Sequence, residues 1–319
     1  MVKSMHTIAI TGASGYIGRH LVAQLNQLAD VRVKVLTRTR PRPQGTINFD
    51  KGVEVVEGDL HKPLSLSGFL EPGCTVVHLA YLQGGGQTEN LRATLTLVEA
   101  CQAAKIQRLI HCSTAAVVGR VNDDTVNEAT PCNPISEYGI TKLKIEEAIL
   151  EASKSGFDSV ILRPTSVFGP EGEPLKKLVA DLIASKNIRN YLKSCLFGER
   201  RMNLVYVDNV VAAIIFTIIQ EKNFGGDRFI VSEDDNAKNN FADVENFLRS
   251  QLMVDDYVVP RILFPLSWLS FLLKLLGRNN INPRCNYDPA KLLALGFERP
   301  VKFDLGLKYY SDWYRSTLK

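Results

Sequence analysis

The stretch TGASGYIG at residues 11–18 decides the fold of this chain. The apolar segment Thr7–Ile10 before it is predicted to be a buried strand, and the apolar residues after it recur at helical spacing. A strand that turns through glycines into a helix leaves bare N–H groups at the positive helix end, which suits a pyrophosphate. Gly12 would permit the turn, Gly15 the approach of a ligand, and Gly18 close packing of helix on strand. A glycine pattern alone also fits an ordinary tight turn.

Length and composition predict a soluble protein with more than one lobe. The 319 residues exceed the ~250–300 at which one core stops growing, so a main domain with a smaller lobe is expected. With 38 basic and 34 acidic residues, the net charge of +4 is too small to indicate nucleic-acid binding. The six cysteines show no zinc spacing and no signal peptide is evident, so we expect reduced thiols, no metal site and a cytoplasmic location.

One uncharged segment, Ile262–Leu273, stands apart from this composition. As a helix it would reach only about 18 Å, too short for the ~30 Å core of a bilayer. It is therefore not predicted to span a membrane. It could pack on the lobe core or line a substrate pocket, or it could contact a membrane surface or a partner.

The end of the second predicted strand, Val31–Leu36, bears on the choice of cofactor. A carboxylate there would bond the 2′-hydroxyl of NAD, whereas an arginine suits the 2′-phosphate of NADP. The strand runs into Thr37-Arg38-Thr39-Arg40, with no acidic residue. We therefore predict NADP, held by Arg38, with NAD as the alternative; Arg38 and Arg40 could also be solvated loop charges.

Two further segments complete the first half of the chain. Asn90–Ala104 is predicted to be a long helix, preceded by a flexible glycine-rich loop at Gln83–Gln87. His78 falls within a buried-strand pattern and is expected to be structural rather than catalytic. Ser113 and Thr114 follow the fifth predicted strand, where ligands bind in open α/β sheets.

Tyr138 and Lys142 form the second specific signal. Four residues apart on a helix, they would share one face with Cβ atoms roughly 5–6 Å apart. A free tyrosine has a pKa near 10, so acid–base work at neutral pH needs that pKa lowered, and an adjacent ammonium together with the positive nicotinamide ring would do so. The spacing alone is common on surface helices, but here it follows the glycine stretch and lies within the wider pattern E-x5-P-x3-Y-G-x2-K-x3-E.

These motifs, together with RPTSVFGP at 163–170, resemble the short-chain dehydrogenase/reductase superfamily in its extended, epimerase/dehydratase branch. The resemblance implies an α/β fold: a Rossmann-type, doubly wound parallel sheet with a smaller C-terminal substrate lobe. The expected division is a cofactor domain at 1–170, to which 203–232 returns, and a substrate lobe made of 171–202 and 233–319. It also implies a homodimer formed through the helices near 90–104 and 136–153.

The resemblance assigns roles to individual residues. Tyr138 would be the general acid/base, Lys142 its partner and a ribose contact, and Thr114 the hydroxyl that positions the substrate oxygen. The predicted cofactor contacts are Gly12, Ser14, Gly15, Tyr16, Ile17, Gly18, Arg38, Asp59, Leu60, Ala80, Tyr138, Lys142 and Pro164. The predicted substrate contacts are Thr114, Ser166 and Arg201.

The implied reaction is hydride transfer at a carbinol or ketone carbon. The leading substrate is a nucleotide sugar, undergoing 4-epimerisation or 4-ketone reduction. Ser166 stands where sugar-nucleotide relatives often have Asn, and Met202 stands where an arginine is usual, with Arg201 adjacent. The alternative is an NADPH-dependent reductase or dehydrogenase of an apolar ketone or sterol-like alcohol. A cofactor-sensing protein without catalysis is a third hypothesis, which the Tyr138–Lys142 pair disfavours.

Overall fold

The computed structural model describes residues 6–38, 49, 52–121, 123–184, 187–275 and 282–318, with the backbone alone at 270–274. The chain divides into two compact units. The first comprises Met1–Val117, Ser136–Arg163 and Val211–Phe229, and the second comprises Val118–Ile135, Pro164–Val210 and Ile230–Lys319.

The described strands are short, and most of the longer ones are apolar. They are β1 (His6–Thr11), β2 (Val31–Thr37), β3 (Val53–Glu57), β4 (Thr75–His78), β5 (Arg108–Cys112), β6 (Thr125–Val126), β7 (Asp158–Pro164), β8 (Ser166–Phe168), β9 (Leu204–Tyr206), β10 (Asp227–Val231) and β11 (Asn286–Tyr287).

The described α-helices alternate with these strands in the first half of the chain. They are α1 (Tyr16–Leu25), α2 (Gly86–Ala104), α3 (Glu137–Ser153), α4 (Lys176–Ile183), α5 (Asn187–Phe197), α6 (Val207–Ile219), α7 (Phe241–Leu252), α8 (Leu266–Leu275), α9 (Ala290–Leu293) and α10 (Phe303–Thr317).

Seven strands form the central sheet, in the order β10-β7-β5-β4-β1-β2-β3. The pairs β1–β2, β2–β3, β1–β4, β4–β5 and β5–β7 are parallel. The order reverses at β1, because β2 lies on one side of it and β4 on the other, and ligands bind at such a point in doubly wound folds. The predicted Rossmann-type sheet is confirmed.

Helices α2 and α3 pack against the sheet and enclose its core. Leu97, Ile145 and Ile149 on these helices are buried in one cluster with Leu109 of β5 and Ile161 of β7. Burying each such side chain contributes about 1.5–3 kcal/mol, so these helices are fixed firmly against the strands.

The predicted start of α2 is wrong by one turn, because the helix begins at Gly86 rather than Asn90. Asn90 is buried, and its amide donates to the carbonyl oxygens of Gly86 and Leu82 at 2.8 and 3.1 Å. Its side-chain oxygen accepts from the Leu82 N–H at 2.7 Å. These bonds close the first helical turn over the glycine-rich segment that was predicted to be a flexible loop.

A buried carboxylate cluster braces the second unit. Glu233 accepts from the Asn209 amide, and Asp234 accepts from the Asn203 amide at 2.6 Å and the Tyr287 N–H at 2.8 Å. Burial raises the pKa of Glu233 to about 7 and that of Asp234 to about 6.

We expect the free energy of unfolding to fall as pH rises, in part through Glu233. Its folded pKa, about 7, exceeds the ordinary 4.5, so its contribution is complete below pH 4.5 and is lost as pH rises through 7. Between pH 5 and 8 this group should account for about 2–3 kcal/mol. Urea unfolding at pH 5 and at pH 8 measures this change in the free energy of unfolding. In Glu233→Gln the change between the two pH values should be smaller by about 2–3 kcal/mol. An equally steep dependence in the variant would contradict the assignment.

Among the described helices, none is both long and apolar enough to cross a bilayer. The uncharged segment Ile262–Leu273 contributes the first eight of the ten residues of helix α8.

Candidate active site

The glycine stretch forms the predicted turn between β1 and α1. Gly12 has a φ of +74°, and a Cβ there would lie 2.6 Å from the backbone nitrogen of Ala80. A Cβ on Gly18 would lie 2.3 Å from the carbonyl oxygen of Gly12. These two positions therefore require glycine, and the backbone of Ala80 closes against the turn at Gly12.

The start of α1 is open to an anion. Gly15 precedes the helix, and a Cβ there would contact only the Gly12 oxygen at 3.2 Å, so the space above it is free. No side chain in the described ranges caps the helix, and its first turn holds no acidic residue. Ser14 and Gly15 are exposed, and Tyr16 and Ile17 are half-buried. The N–H groups of this turn thus fit a pyrophosphate.

Thr114, Tyr138 and Lys142 come together at the end of β5 and the start of α3. Ser136 caps α3, its hydroxyl accepting from the Gly139 N–H at 3.1 Å. The Thr114 side chain is close enough to the hydroxyl of Tyr138 to influence its pKa. Lys142 is 3% exposed, its Nζ lies 6.0 Å from the centroid of the Tyr138 ring, and it donates to the Cys112 carbonyl at 2.9 Å.

Burial shifts the pKa values of both Tyr138 and Lys142. Burial raises the pKa of Tyr138 to about 12, although the neighbouring Thr114 side chain opposes the shift. Burial lowers the pKa of Lys142, and Glu146 opposes that shift. Burial therefore dominates the pKa of Tyr138 in the protein alone, and its lowering by the ammonium together with the nicotinamide ring stays a prediction.

Sequence reasoning missed Tyr81, which directly follows Ala80. Its ring packs edge to face against Tyr138, with centroids 5.0 Å apart. The Lys142 ammonium lies 5.5 Å from the centroid of the Tyr81 ring. The available signal in the sequence was the aromatic Tyr81 directly after Ala80, a predicted cofactor contact. Tyr81 thus holds both predicted catalytic side chains in position.

Two buried histidines lie on the adjacent strands. The rings of His78 and His111 are 5.2 Å apart, and His78 hydrogen-bonds to the Thr11 hydroxyl at 2.7 Å. Burial lowers the pKa of His78 to about 3 and that of His111 well below its usual value, with a further contribution from Lys142. Both imidazoles are therefore neutral, and the positive charge near Tyr138 is that of the Lys142 ammonium. Nearby Ser113 is buried, and its hydroxyl has no hydrogen-bond partner in the described part of the chain.

The predicted adenine-side residues lie after β2 and β3. Arg38 is exposed immediately beyond β2, and Arg40 lies outside the described residues. Asp59 is half-buried and accepts from the His61 N–H at 2.9 Å, and Leu60 is buried. Glu57 lies beside Thr37 in the parallel register, a carboxylate that the sequence reading did not place here.

In the second unit, Ser166 and Arg201 line one cavity of about 430 Å³. Its cationic side chains are Lys177, Lys193, Arg200 and Arg201, and its acidic ones are Asp181 and Glu245. Phe197, Phe241 and Met202 add apolar surface to its lining. Pro164, the remaining predicted contact, is buried at the end of β7.

The charges of this cavity are unevenly paired. Lys193 lies 2.7 Å from Asp181, and Glu245 accepts from the hydroxyls of Ser194 and Tyr257. Arg201 donates to the carbonyl oxygen of Asn236 at 3.2 Å. With four cations against two carboxylates, the cavity favours an anionic ligand.

Comparison with known proteins agrees with this geometry. A sequence profile of the NAD dependent epimerase/dehydratase family matches residues 8–231. The chain is 27% identical over 285 residues to a mouse (Mus musculus) sterol-4-alpha-carboxylate 3-dehydrogenase, covering 84% of this chain and 74% of that one. It is 30% identical over 181 residues to a UDP-glucose 4-epimerase of Azospirillum brasilense, covering 51% and 50%. The chain thus spans half the length of that second relative.

A solved structure shows the same fold. The UDP-glucuronic acid 4-epimerase from Bacillus cereus, in complex with NAD, superposes with a TM-score of 0.73 at 22% identity over 97% of both chains.

A strand–glycine–helix turn and a Tyr–Lys pair within one unit are typical of NAD(P)-dependent oxidoreductases of Rossmann type. The profile match covers more than half of the chain, so the protein belongs to the NAD dependent epimerase/dehydratase family. The predicted resemblance is confirmed, and the protein is an enzyme of the oxidoreductase type that this family comprises.

Proposed function

We propose that the protein is an NADP-dependent enzyme that transfers hydride at a carbinol or ketone carbon of a nucleotide sugar. One observation carries the proposal: the side chains of Thr114, Tyr138 and Lys142 lie together in the same unit as the glycine turn. The proposed reaction is 4-epimerisation or 4-ketone reduction.

The first unit would bind the dinucleotide through its glycine turn. The Cβ-free surface at Gly15 and the uncapped start of α1 fit the pyrophosphate, and Ala80 would border the cofactor. Asp59 and Leu60 would border the adenine and Pro164 the nicotinamide. When bound, the nicotinamide supplies the hydride acceptor or donor.

Tyr138 would move the proton of the substrate oxygen. In oxidation its phenolate oxygen accepts the proton of the carbinol, and in reduction its hydroxyl returns a proton to the ketone oxygen. Thr114 would hold the substrate oxygen beside it. Because burial alone raises the pKa of Tyr138 to about 12, the phenolate needs positive charge from the neighbouring ammonium and from the oxidised cofactor ring.

The cavity of the second unit supports a phosphate-bearing substrate. Arg200 is partly buried, its pKa is lowered by burial, and it lies beside Arg201 in the wall. Charge-assisted hydrogen bonds from arginine to phosphate contribute about 1.5–3 kcal/mol each. A nucleoside diphosphate would complement the excess of cations, and Ser166 would contact the same ligand.

Thermal-shift measurements with UDP, dTDP, GDP and CDP test the substrate class. A nucleotide at ~100 times its dissociation constant should add about 2.7 kcal/mol to the free energy of unfolding. The double variant Arg200→Gln/Arg201→Gln should lose the response, whereas Lys176→Gln, outside the cavity, should keep it. No response of the wild type to any of the four nucleotides would contradict a nucleotide-sugar substrate.

An apolar ketone or sterol-like alcohol is the second candidate substrate. Similarity to a sterol-4-alpha-carboxylate 3-dehydrogenase over 84% of this chain favours it, as does serine at position 166 where sugar-nucleotide relatives often have asparagine. The cavity's Phe197, Phe241 and Met202 are compatible with an apolar ring. Such an enzyme should reduce an apolar ketone with NADPH and ignore all four nucleotides.

We expect NADPH to bind more tightly than NADH. Arg38 is exposed beyond β2, where it would pair with the 2′-phosphate, and the β2 end holds no carboxylate. Arg38→Ser should weaken NADPH about tenfold or more, as expected for loss of a charge-assisted bond, and leave NADH unchanged. Fluorescence titration with both cofactors checks this. Tighter NADH binding by the wild type would instead point to Glu57 as the ribose partner.

The proposed assembly is a cytoplasmic homodimer. Helices α2 and α3 pack side by side in the first unit, and Leu95 of α2 is exposed. Light scattering after gel filtration would measure the mass, and Leu95→Asp should shift it toward that of the monomer.

A further inference from the structure

Asp234 is a buried carboxylate of the second unit, with 1% of the residue exposed. Its oxygens accept hydrogen bonds from the Asn203 amide at 2.6 Å, the Tyr287 N–H at 2.8 Å and the Asn239 amide at 3.0 Å. Each of these partners is a donor. The position therefore suits a group that only accepts, which is an ionised carboxylate.

Asn203 connects Asp234 to the wall of the cavity of about 430 Å³. It lies between Met202 and Leu204, which both line the cavity, and its φ is +51°. Its carbonyl oxygen accepts from the N–H of Ser166, another lining residue, at 2.8 Å. Such a φ is uncommon in residues other than glycine and persists where the surroundings hold it. The bond from the Asn203 amide to Asp234 is such a hold.

Asn239 is the second connection between Asp234 and the same wall. It is fully buried, and its side chain accepts from the Leu204 N–H at 3.1 Å and donates to the Leu204 carbonyl at 2.9 Å. Its own carbonyl oxygen accepts from the Met202 N–H at 3.1 Å. Both ends of the Asn239 amide are thus committed to Leu204, so the amide cannot turn to offer Asp234 an acceptor.

Arg201 is held by the turn that follows Asp234. Its guanidinium donates to the carbonyl oxygen of Asn236 at 3.2 Å. Burial raises the pKa of Asp234 to about 6, and the charge of Arg201 opposes that shift, so the two groups are near enough to interact. Asp234 therefore acts on a cation of the cavity as well as on its backbone.

We propose that Asp234 is a positioning residue, which fixes Ser166 and residues 201–204 in the arrangement that binds the substrate. The inference rests on the proposed function, which assigns the substrate to this cavity. An amide cannot replace the carboxylate, because in either orientation its amino group would face at least one of the three donors. Asp234→Asn therefore breaks part of the network with little change in side-chain shape.

Glu233→Gln is the matched control. Glu233 is also 1% exposed, and its carboxylate accepts from the Asn209 amide and the Tyr206 N–H. Neither partner lines the cavity that holds Ser166 and Arg201. A carboxylate that only supported the fold would give the same result in both variants.

Calorimetric titration with UDP, dTDP, GDP and CDP, at saturating NADPH, measures the effect on binding. Asp234→Asn should bind the nucleotide about tenfold or more weakly, as expected for loss of a hydrogen bond to a charged group, whereas Glu233→Gln should bind like the wild type. Asn203→Gly should weaken binding similarly, because glycine keeps the left-handed φ but removes the amide. NADPH affinity should stay unchanged in all three. Wild-type nucleotide affinity in Asp234→Asn, or an equal loss in Glu233→Gln, overturns the proposal.

Amide hydrogen exchange without nucleotide separates this inference from the proposed function. In Asp234→Asn the N–H groups of Ser166, Met202 and Leu204 should exchange about tenfold or more faster, because their acceptors are released. Unchanged exchange in helix α10, of the same unit, establishes that the variant folds. A wild type that binds none of the four nucleotides contradicts the nucleotide-sugar substrate, and the exchange result still decides the role of Asp234. Wild-type exchange at the three N–H groups overturns that role.

Discussion

Replacing Tyr138 by phenylalanine should lower turnover by about 10²- to 10⁴-fold, the usual contribution of a positioned acid/base group. The phenol oxygen lies beside Thr114 and can both accept a proton from the substrate and return one to it. The ring itself remains packed against Tyr81, so the site keeps its shape. NADPH affinity should therefore stay nearly unchanged, and the loss should fall on the rate of hydride transfer.

The measurement is single-turnover absorbance of the nicotinamide, with cofactor affinity titrated separately. Tyr309→Phe is a matched control, because Tyr309 is 43% exposed against 41% for Tyr138 and lies in the other unit. It should retain full turnover. If Tyr138→Phe kept wild-type turnover as well, Tyr138 would not be the proton-transfer group and the proposed mechanism would be wrong.

The glycine turn could be predicted from sequence because its requirements are local. Gly12 requires glycine because its φ is left-handed and because a Cβ there would contact Ala80. Gly18 requires glycine because a Cβ there would contact Gly12 and Ala13, which lie within six residues along the chain. Helical spacing likewise predicted that Tyr138 and Lys142 share a face. The doubly wound sheet followed from the family resemblance, and apolar runs located β1 and β2 to within one residue at each end.

Contacts between separate strands could not be predicted in the same way. Tyr81, which follows β4, packs on Tyr138 at the start of α3, and Lys142 of α3 donates to the carbonyl at the end of β5. The direction of the Tyr138 pKa shift also depended on burial, a property of the assembled fold. Helix α2 begins before Asn90, and the Asn90 side chain hydrogen-bonds to Leu82 ahead of the helix. The spacing of apolar residues does not indicate such a bond.

Replacing Glu146 by alanine should reduce the free energy of unfolding by about 3–5 kcal/mol, as expected when one partner of a buried ion pair is removed. The carboxylate lies on α3 one turn after Lys142, is 1% exposed, and accepts from Arg163 of β7 at 3.0 and 2.6 Å. Arg228 lies 3.8 Å from the same carboxylate. The variant leaves the buried Arg163 guanidinium without this partner, and water is excluded from its surroundings.

Urea unfolding of Glu146→Ala against Glu147→Ala isolates the ion pair, since Glu147 is the next residue of the same helix but is exposed. The control should change stability by no more than about 0.5 kcal/mol. The double variant Glu146→Leu/Arg163→Met should recover much of the loss, because two apolar side chains need no charge partner. Equal losses in Glu146→Ala and Glu147→Ala would mean that the pair does not fix α3 to the sheet. The position of Lys142 beneath Tyr138 would then depend on the Cys112 carbonyl and the Tyr81 ring instead.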